Sequence, residues 1–193
     1  MKENEYIAGI WSGHDCSYFI MDHKGQPVVH NELERFNREK EPSGNSFKFL
    51  KETFEDYKNI KYLATCWPFH SDKIHRGPEK DSLEGLSIHT IGHHESHALN
   101  AFYSSNLSEA TIITIDGGGI EDGAGSTCSL SVWEGKDTKV SHVRSYPTHE
   151  LNVGGVWTRV TRYVFGLQSG WPTGHQAGTV MAMAALGDGS KYF

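Results

Sequence analysis

The sequence has few cysteines, and none is spaced for a zinc knuckle or a disulfide framework. Cys16, Cys66 and Cys128 are the three thiols among 193 residues, and they form no CxxC pair. An odd, dispersed set of this kind is typical of reduced thiols in a cytosolic protein. We therefore expect a cytoplasmic location.

Long apolar runs and an excess of positive charge are also missing. No run approaches the roughly 20 residues that span a bilayer, and residues 1–5 carry acids where a signal peptide would carry basic ones. The net charge of −6 argues against a surface that wraps nucleic acid. We expect neither a membrane nor a nucleic acid as a partner.

What the sequence does contain is a series of short strands and helices that predicts an α/β fold. Three strands separated by turn residues open the chain and predict an antiparallel meander. A helix with apolar residues at a spacing of 3.6 follows, then two strands, a second helix and a buried apolar strand. In order, these elements are predicted over 6–11, 17–21, 27–30, 46–57, 60–66, 88–91, 93–103 and 111–116.

The opening order of elements recurs after Asp116. A glycine-rich turn over 116–125 leads to a strand, a turn at Gly135 and Lys136, and another strand. Two candidate helices follow, over 151–165 and 176–186. This recurrence predicts two lobes, 1–108 and 109–193, the second of which stops before its own strand–helix–strand completion.

The sharpest local feature is the segment HHESH. His93 and His97 are four residues apart, so on a helix both side chains project from one face and could share a metal ion. Neither HExxH nor HxxEH is present, and Glu95 is turned about 200° from His93 around the helix. On spacing alone, a metal site and a solvated helix end are equally good interpretations.

Asp116 favours the metal interpretation. It is the only charged residue at the end of an otherwise apolar strand, and it precedes Gly117, Gly118 and Gly119. Glycine lets the backbone approach a ligand closely, although aspartate also caps ordinary turns. Two imidazoles and one carboxylate suit a divalent transition metal with open coordination positions.

Two further features could bind an anion. The turns 12–17 and 116–126 are rich in glycine and serine and could present backbone N–H groups to phosphate, although neither is a Walker loop. Arg35, Arg38 and Lys40 place three cations within six residues. Such a cluster could hold an anionic substrate, or it could be the solvated exit of the third strand.

Five motifs, in the same order along the chain, resemble those of the O-carbamoyltransferase family of nodulation and antibiotic-tailoring enzymes. They are Gly9-Ile10 with Gly13-His14-Asp15-Cys16-Ser17, the segment ELERFNREK over 32–40, His93-His94-Glu95-Ser96-His97-Ala98 with Ala101-Phe102-Tyr103-Ser104, Thr114-Ile115-Asp116-Gly117, and GTVMAMAALG over 178–187. In the last motif, Thr179 stands where the family usually has lysine.

The resemblance implies an ASKHA fold, in which two ribonuclease-H-like lobes with mixed sheets enclose a cleft. It also implies a divalent metal, iron before manganese or zinc, held by His93, His97 and Asp116. A further metal carboxylate and a YrdC-like domain, which makes carbamoyl adenylate from carbamoyl phosphate and ATP, have no counterpart within these residues.

We therefore expect transfer of a carbamoyl group from this adenylate to a substrate hydroxyl. His14 would shuttle the proton, since histidine changes charge near neutral pH, and Lys40 would assist catalysis. Substrate or phosphate would contact Gly13, Asp15, Ser17, Arg38, Gly117 and Gly118. The partners would be carbamoyl phosphate, ATP and a hydroxyl-bearing small molecule.

Two alternatives remain at this point. One is a non-catalytic or split-subunit ASKHA half-module that binds nucleotide or a partner chain, and the other is an unrelated metal hydrolase with the same ligand set. The apolar surface of the second lobe would need a cover under the main interpretation and under the first alternative. That cover would be a second chain that supplies the missing lobe, or a second copy of this chain.

Overall fold

The computed structural model describes residues 1–66, 85–120, 127–167 and 176–192. The chain divides into two compact units, Met1–Ser96 and His97–Phe193. The two predicted meanders lie in separate sheets, one of five strands and one of three. The boundary between lobes at 108 and 109 stays a prediction.

The first unit contains a mixed five-stranded sheet, as expected. Its strands are β1 (Tyr6–Trp11), β2 (Ser17–Met21), β3 (Pro27–Glu32), β4 (Ile60–Cys66) and β5 (Ser87–Ile91). They lie in the order β3-β2-β1-β4-β5, and β2 is the only strand antiparallel to the rest. This is the topology of a ribonuclease-H-like lobe, and it confirms the expected ASKHA-type α/β fold class.

Helix α2 (Ser46–Thr53) packs on this sheet and closes its core. Alternating residues of β1 and β2 point into the core, where they meet one face of the helix; the buried members are Ala8, Ile10, Tyr18, Ile20, Phe47, Phe49, Leu50, Ile60 and Leu63. The helix is shorter than predicted because Phe54 is extended (φ −122°), which places its ring edge-on to Tyr6 at 5.4 Å. A 3₁₀ turn, Glu55–Asn59, follows.

A short helix replaces the predicted strand exit after β3. Helix α1 (Leu33–Asn37) ends at Arg38, whose backbone is left-handed (φ 62°) and whose N–H donates to the carbonyl of Glu34 at 3.0 Å. The basic cluster therefore lies on a helix and its exit turn.

The second unit contains an antiparallel sheet of β6 (Glu109–Ile120), β7 (Thr127–Lys136) and β8 (Lys139–Pro147), in that order. Helix α3 (His93–Ser104) supplies Ala98 and Phe102 to a core that includes Ile112 and Trp133. The predicted turn at Gly135 and Lys136 is two residues too early, since the turn lies at Asp137 and Thr138. Gly135 belongs to β7, where a Cβ would lie 2.4 Å from the ring of Phe102, and the turn is made at Asp137 (φ 54°).

Strand β6 also continues further than predicted. It runs through Gly117, Gly118 and Gly119, with a register shift against β7 between Ile115 and Gly119. The glycines therefore form an irregular strand segment next to Asp116, and residues 121–126 of the predicted turn lie outside the described residues.

The predicted helices after β8 are present in shorter form. Helix α4 (Val153–Arg159) continues as a π-turn over Val160–Val164, and α5 (Ala177–Ala184) precedes a 3₁₀ turn at Gly189–Tyr192. In the described parts of the chain, no helix combines the length and the apolar character that a bilayer crossing requires.

Candidate metal centre

A side-chain cap fixes the start of the histidine-bearing helix α3. The backbone N–H of Gly92 donates to the carboxylate of Glu95 at 3.2 Å, and the hydroxyl of Ser96 donates to the carbonyl of His93 at 2.7 Å. A glutamate at the third helical position that reaches back to the residue before the helix is one half of a capping box. Glu95 thus has a structural role, which explains why it does not lie beside the histidines.

The helix separates its three histidines by face. His94 is fully buried and shares a stripe with the buried residues Ala98 and Phe102, each four residues further on. His93 and His97 occupy the next stripe, one turn apart, where His93 is half-buried and the side chain of His97 is 55% exposed. The packing of His94 therefore orients the other two histidines away from the apolar core.

Asp116 meets this pair from strand β6. Its Oδ1 accepts a hydrogen bond from the backbone N–H of Gly117 at 2.6 Å, and its Oδ2 lies 3.7 Å from Nε2 of His97. Because each carboxylate oxygen has a different neighbour, the backbone contact leaves the other oxygen to face the histidine.

The three predicted ligands are brought together. One ligand atom from each of His93, His97 and Asp116 lies within 4.8 Å of the other two. Ligand atoms bound at 2.0–2.2 Å around one cation are about 2.8–3.6 Å apart, the shorter distances for adjacent octahedral and the longer ones for tetrahedral positions. Small side-chain rotations would bring the ligand atoms from 4.8 Å to these distances. This donor set therefore fits a divalent transition metal.

The turn after β1 holds the predicted proton shuttle. Nδ1 of His14 lies 2.7 Å from Oδ2 of Asp15. An ionised carboxylate can only accept, so Nδ1 is the donor in this contact, and in the neutral imidazole Nε2 then has the lone pair. The side chain of His14 is 61% exposed, which makes that nitrogen accessible to a substrate.

Trp11 connects this turn to the first residue of α3. Its indole Nε1 donates to the carbonyl of His14 at 2.5 Å. Its ring centroid lies 6.1 Å from that of His14 and 6.2 Å from that of His93.

The predicted anion-binding residues fall into different environments. Arg35 pairs with Glu32 at 3.1 Å and with Glu34 at 3.5 Å. Lys40 is exposed, and its ammonium lies at the longer distance of 3.9 Å from the carboxylate of Glu41. Ser17 begins β2 opposite Glu32. A pocket of about 200 Å³ beside the turn is lined by Asp15, Cys16, Glu32, Glu34 and Arg35, and its three carboxylates disfavour phosphate there.

Comparison with known proteins supports the fold. No protein-family model matches the sequence, and no curated protein matches it. The structure of HypF from T. kodakarensis is similar, with a TM-score of 0.53 and 14% identity over 73% of this chain and 18% of that one. Full-length HypF in its phosphate- and nucleotide-bound form gives a TM-score of 0.49 at 13% identity, over 72% of this chain and 18% of that one.

The ethanolamine utilization protein EutJ from Carboxydothermus hydrogenoformans gives a TM-score of 0.46 at 12% identity, over 91% of this chain and 60% of that one. At these identities a likeness concerns the fold alone. The likeness to HypF from T. kodakarensis agrees with the α/β class and with the mixed sheet of the first unit, and the chain spans 18% of the length of HypF.

Proposed function

We propose that this chain is part of a carbamoyltransferase-type protein and that His93, His97 and Asp116 hold a divalent metal in it, iron before manganese or zinc. One observation carries the proposal. Residues from two motifs that resemble the same family, separated by a helix and most of a strand, place three ligand atoms within 4.8 Å of one another. The resemblance assigns the same three residues as ligands, which supports the proposal.

The donor set supports a role at a substrate rather than a purely structural one. The side chains of His97 and Asp116 are 55% and 38% exposed, and three protein ligands leave coordination positions open. A divalent cation bound there would supply positive charge for the carbonyl or phosphate oxygens of a carbamoyl donor.

His14 would accept the proton of the attacking hydroxyl. With Nδ1–H donating to Asp15 at 2.7 Å, the imidazole is held in the tautomer whose Nε2 can take that proton. As the hydroxyl oxygen forms its bond to the carbamoyl carbon, the bond to the phosphate of the adenylate breaks and AMP leaves. Asp15 would then stabilise the imidazolium.

Lys40 and Arg38 would bind the phosphate of the donor. Both cations lie in the exit turn of α1, and the carboxylate that the described residues place nearest to them is that of Glu41, 3.9 Å from Lys40. Arg35 is less suitable because Glu32 and Glu34 already neutralise it. Gly13, Gly117 and Gly118 would supply close backbone approach, and Ser17 a hydroxyl.

The first test is metal binding. We expect His97→Ala to lower the metal content of the purified protein, or its affinity for added Mn²⁺, at least roughly tenfold, because a direct ligand is lost. Elemental analysis and calorimetry would measure both. His149→Ala is the matched control, since His149 is an exposed histidine in the same unit; equal metal content in the two variants would refute the site.

The second readout separates the transferase from a nucleotide-binding half-module. A sulfamate analogue of carbamoyl adenylate should bind more tightly when Mn²⁺ is present, and His97→Ala should remove that difference. A half-module that only binds nucleotide would bind ATP and the analogue equally, with or without metal. That outcome would contradict the carbamoyl transfer and leave the metal site in place.

A further inference from the structure

We propose that Trp11 is a positioning residue that fixes His14 through its N–H and His93 through its ring, so that a metal bound at His93 lies beside the indole. This inference rests on the metal site proposed above. It concerns a residue outside the ligand set and outside the proton shuttle.

The hydrogen bond ties the indole to the backbone of the turn. Nε1 of Trp11 donates to the carbonyl of His14 at 2.5 Å, and the next residue, Asp15, has a left-handed backbone (φ 59°). A non-glycine residue in that region costs about 1 kcal/mol or more of conformational free energy, and it persists only where its surroundings hold it there. The indole donor is one of the contacts that hold this turn, and therefore the imidazole of His14, in place.

Gly13 interlocks with the ring. A Cβ at this position would lie 2.5 Å from Cζ2 and 2.8 Å from Cε2 of Trp11, distances that no carbon pair tolerates. The backbone of Gly13 thus lies close to the indole, and this close approach requires glycine here. Any side chain at Gly13 would push the ring of Trp11 out of its position.

The second contact of Trp11 is with helix α3, which carries the two histidine ligands. The ring centroids of Trp11 and His93 are 6.2 Å apart with an interplanar angle of 57°, within the range of favourable aromatic pairs. His93 is the first residue of α3, and the first turn of a helix is the part that frays. A large rigid ring against the imidazole limits its rotamers, which is what a preorganised ligand requires.

Trp11 is well placed to act as a rigid support. It is the last residue of β1, paired with Ser17 of β2, and β1 is the central strand of the five. A side chain carried by a central strand has less freedom than one carried by a loop, so the indole can transmit a fixed position to both histidines.

The test compares variants that remove the ring, remove the donor or displace the ring. We expect Trp11→Ala and Gly13→Ala to weaken Mn²⁺ binding roughly tenfold, the low end of the effect of losing a contact that orients a ligand. Trp11→Phe keeps an aromatic ring and should stay within about threefold of the wild type. Tyr62→Ala is the control, because Tyr62 also packs on a histidine of the same unit, His89, with centroids 6.1 Å apart.

Hydrogen exchange of the backbone amides over 12–16 reports the other contact. Both Trp11→Phe and Trp11→Ala lose the donor to the carbonyl of His14, so exchange in this turn should be faster in both variants than in the wild type. Unchanged exchange in Trp11→Phe would overturn the role of the N–H, and circular dichroism would establish that each variant is folded.

A spectroscopic measurement on the wild type needs no destabilising substitution. The chain has five tryptophans, and in protein labelled with 5-fluorotryptophan the ¹⁹F signal that is missing in Trp11→Phe belongs to Trp11. Substoichiometric Mn²⁺, which is paramagnetic, should broaden this signal, and His97→Ala should abolish the broadening.

The outcomes distinguish this inference from the proposed function. If the wild type binds Mn²⁺ through His97 but Trp11→Ala and Gly13→Ala bind it equally well, or if the Trp11 signal stays sharp, Trp11 is not a positioning residue and the metal site stands. If the wild type binds no Mn²⁺, the metal site and the role of Trp11 towards His93 are both refuted.

Discussion

A backbone N–H orients the carboxylate of Asp116, and a close backbone contact holds its main chain. Oδ1 accepts from the N–H of Gly117 at 2.6 Å, and the main chain of Asp116 packs directly against Gly154 of α4. A Cβ on Gly154 would lie 2.4 Å from the carbonyl carbon of Asp116 and 2.5 Å from its oxygen. Helix α4 can therefore sit this close to β6 only with glycine at that position.

We predict that Gly154→Ala lowers both the stability of the protein and its affinity for metal. The methyl group must displace α4 or the backbone of Asp116, and overpacking of this kind costs about 1–3 kcal/mol. A displaced Asp116 moves away from His97, so Mn²⁺ affinity should fall roughly tenfold. Urea unfolding and calorimetry would measure the two effects.

Gly178→Ala is the matched control. Gly178 lies in α5 with nothing within 4 Å of the added methyl group, and alanine is a better helix former than glycine by up to about 1 kcal/mol. The control should be neutral or stabilising and bind Mn²⁺ normally. A Gly154→Ala protein as stable as the control, with unchanged metal affinity, would show that the close contact does not position Asp116.

The three proposed ligands could be predicted from the sequence because their signals are local. His93 and His97 have helical spacing, and Asp116 ends an apolar run before three glycines. Trp11 and Gly154 have no such signal. Their contacts join β1 to the start of α3 and α4 to β6, and a single sequence does not reveal which distant segments meet. For Gly154, the pair with Gly155 in a helix was a weak indication, because glycine disfavours helices and so must serve another purpose.

In the hairpin between β2 and β3, one side chain accepts two backbone hydrogen bonds. Oδ1 of Asp22 accepts from the backbone N–H groups of Gln26 and Lys24, each at 2.8 Å. These donors, Gln26 foremost, hold the pKa of this exposed carboxyl below its usual value, and the positive charges of His23 and Lys24 act in the same direction.

We predict that Asp22→Asn lowers the melting temperature at neutral pH and that the difference shrinks in acid. Because the folded-state pKa of Asp22 is depressed, its contribution is fully present above the unfolded value and is lost as pH falls through the folded value. The two melting curves should therefore converge below the ordinary aspartate value of 3.8. Differential scanning calorimetry across pH 2–7, a window set by these values, would measure this.

Asp56→Asn serves as the comparison, since within the described residues the exposed carboxylate of Asp56 accepts no hydrogen bond. It should change the melting temperature little at any pH. A difference between Asp22→Asn and the wild type that is independent of pH would mean that the amide replaces the carboxylate fully and that charge is irrelevant to the turn.

Most elements could be predicted from periodicity and turn residues, whereas their ends were set by contacts outside each element. Helix α2 stops early because the ring of Phe54 packs on Tyr6. Strand β7 includes Gly135 because Phe102 of α3 needs the space. Glycine marks a turn in one context and close approach in another, and only the tertiary packing decides between them.

At the scale of the whole chain, the recurrence of a three-stranded meander is the most informative feature of the sequence. The first meander continues into the parallel strands β4 and β5, and the second is followed by α4 and α5. The element order could be predicted because each meander is local in sequence. The fold of this chain is similar to that of HypF at 14% identity. Neither the composition nor any single motif would reveal that similarity.

The sheet of the second unit has one covered face and one open face. Ile112 and Trp133 face the core with Ala98 and Phe102 of α3. On the opposite face, Ile113 and Ile115 are 59% and 55% exposed, and their cross-strand neighbours are Val132 and Leu130. Exposed apolar side chains that adjoin one another favour association.

We predict that the chain self-associates in solution through this open face. Multi-angle light scattering should give a mass that rises with concentration above the 21.6 kDa of the single chain. Replacing Ile113 and Ile115 together by threonine, which keeps the β-branched shape that strands favour, should return the mass towards that of a monomer. Val28→Thr, at an exposed position of β3, should leave association unchanged. If the wild type associates and the double variant associates as strongly, another surface carries the contact. The open face of this sheet would then remain exposed to water.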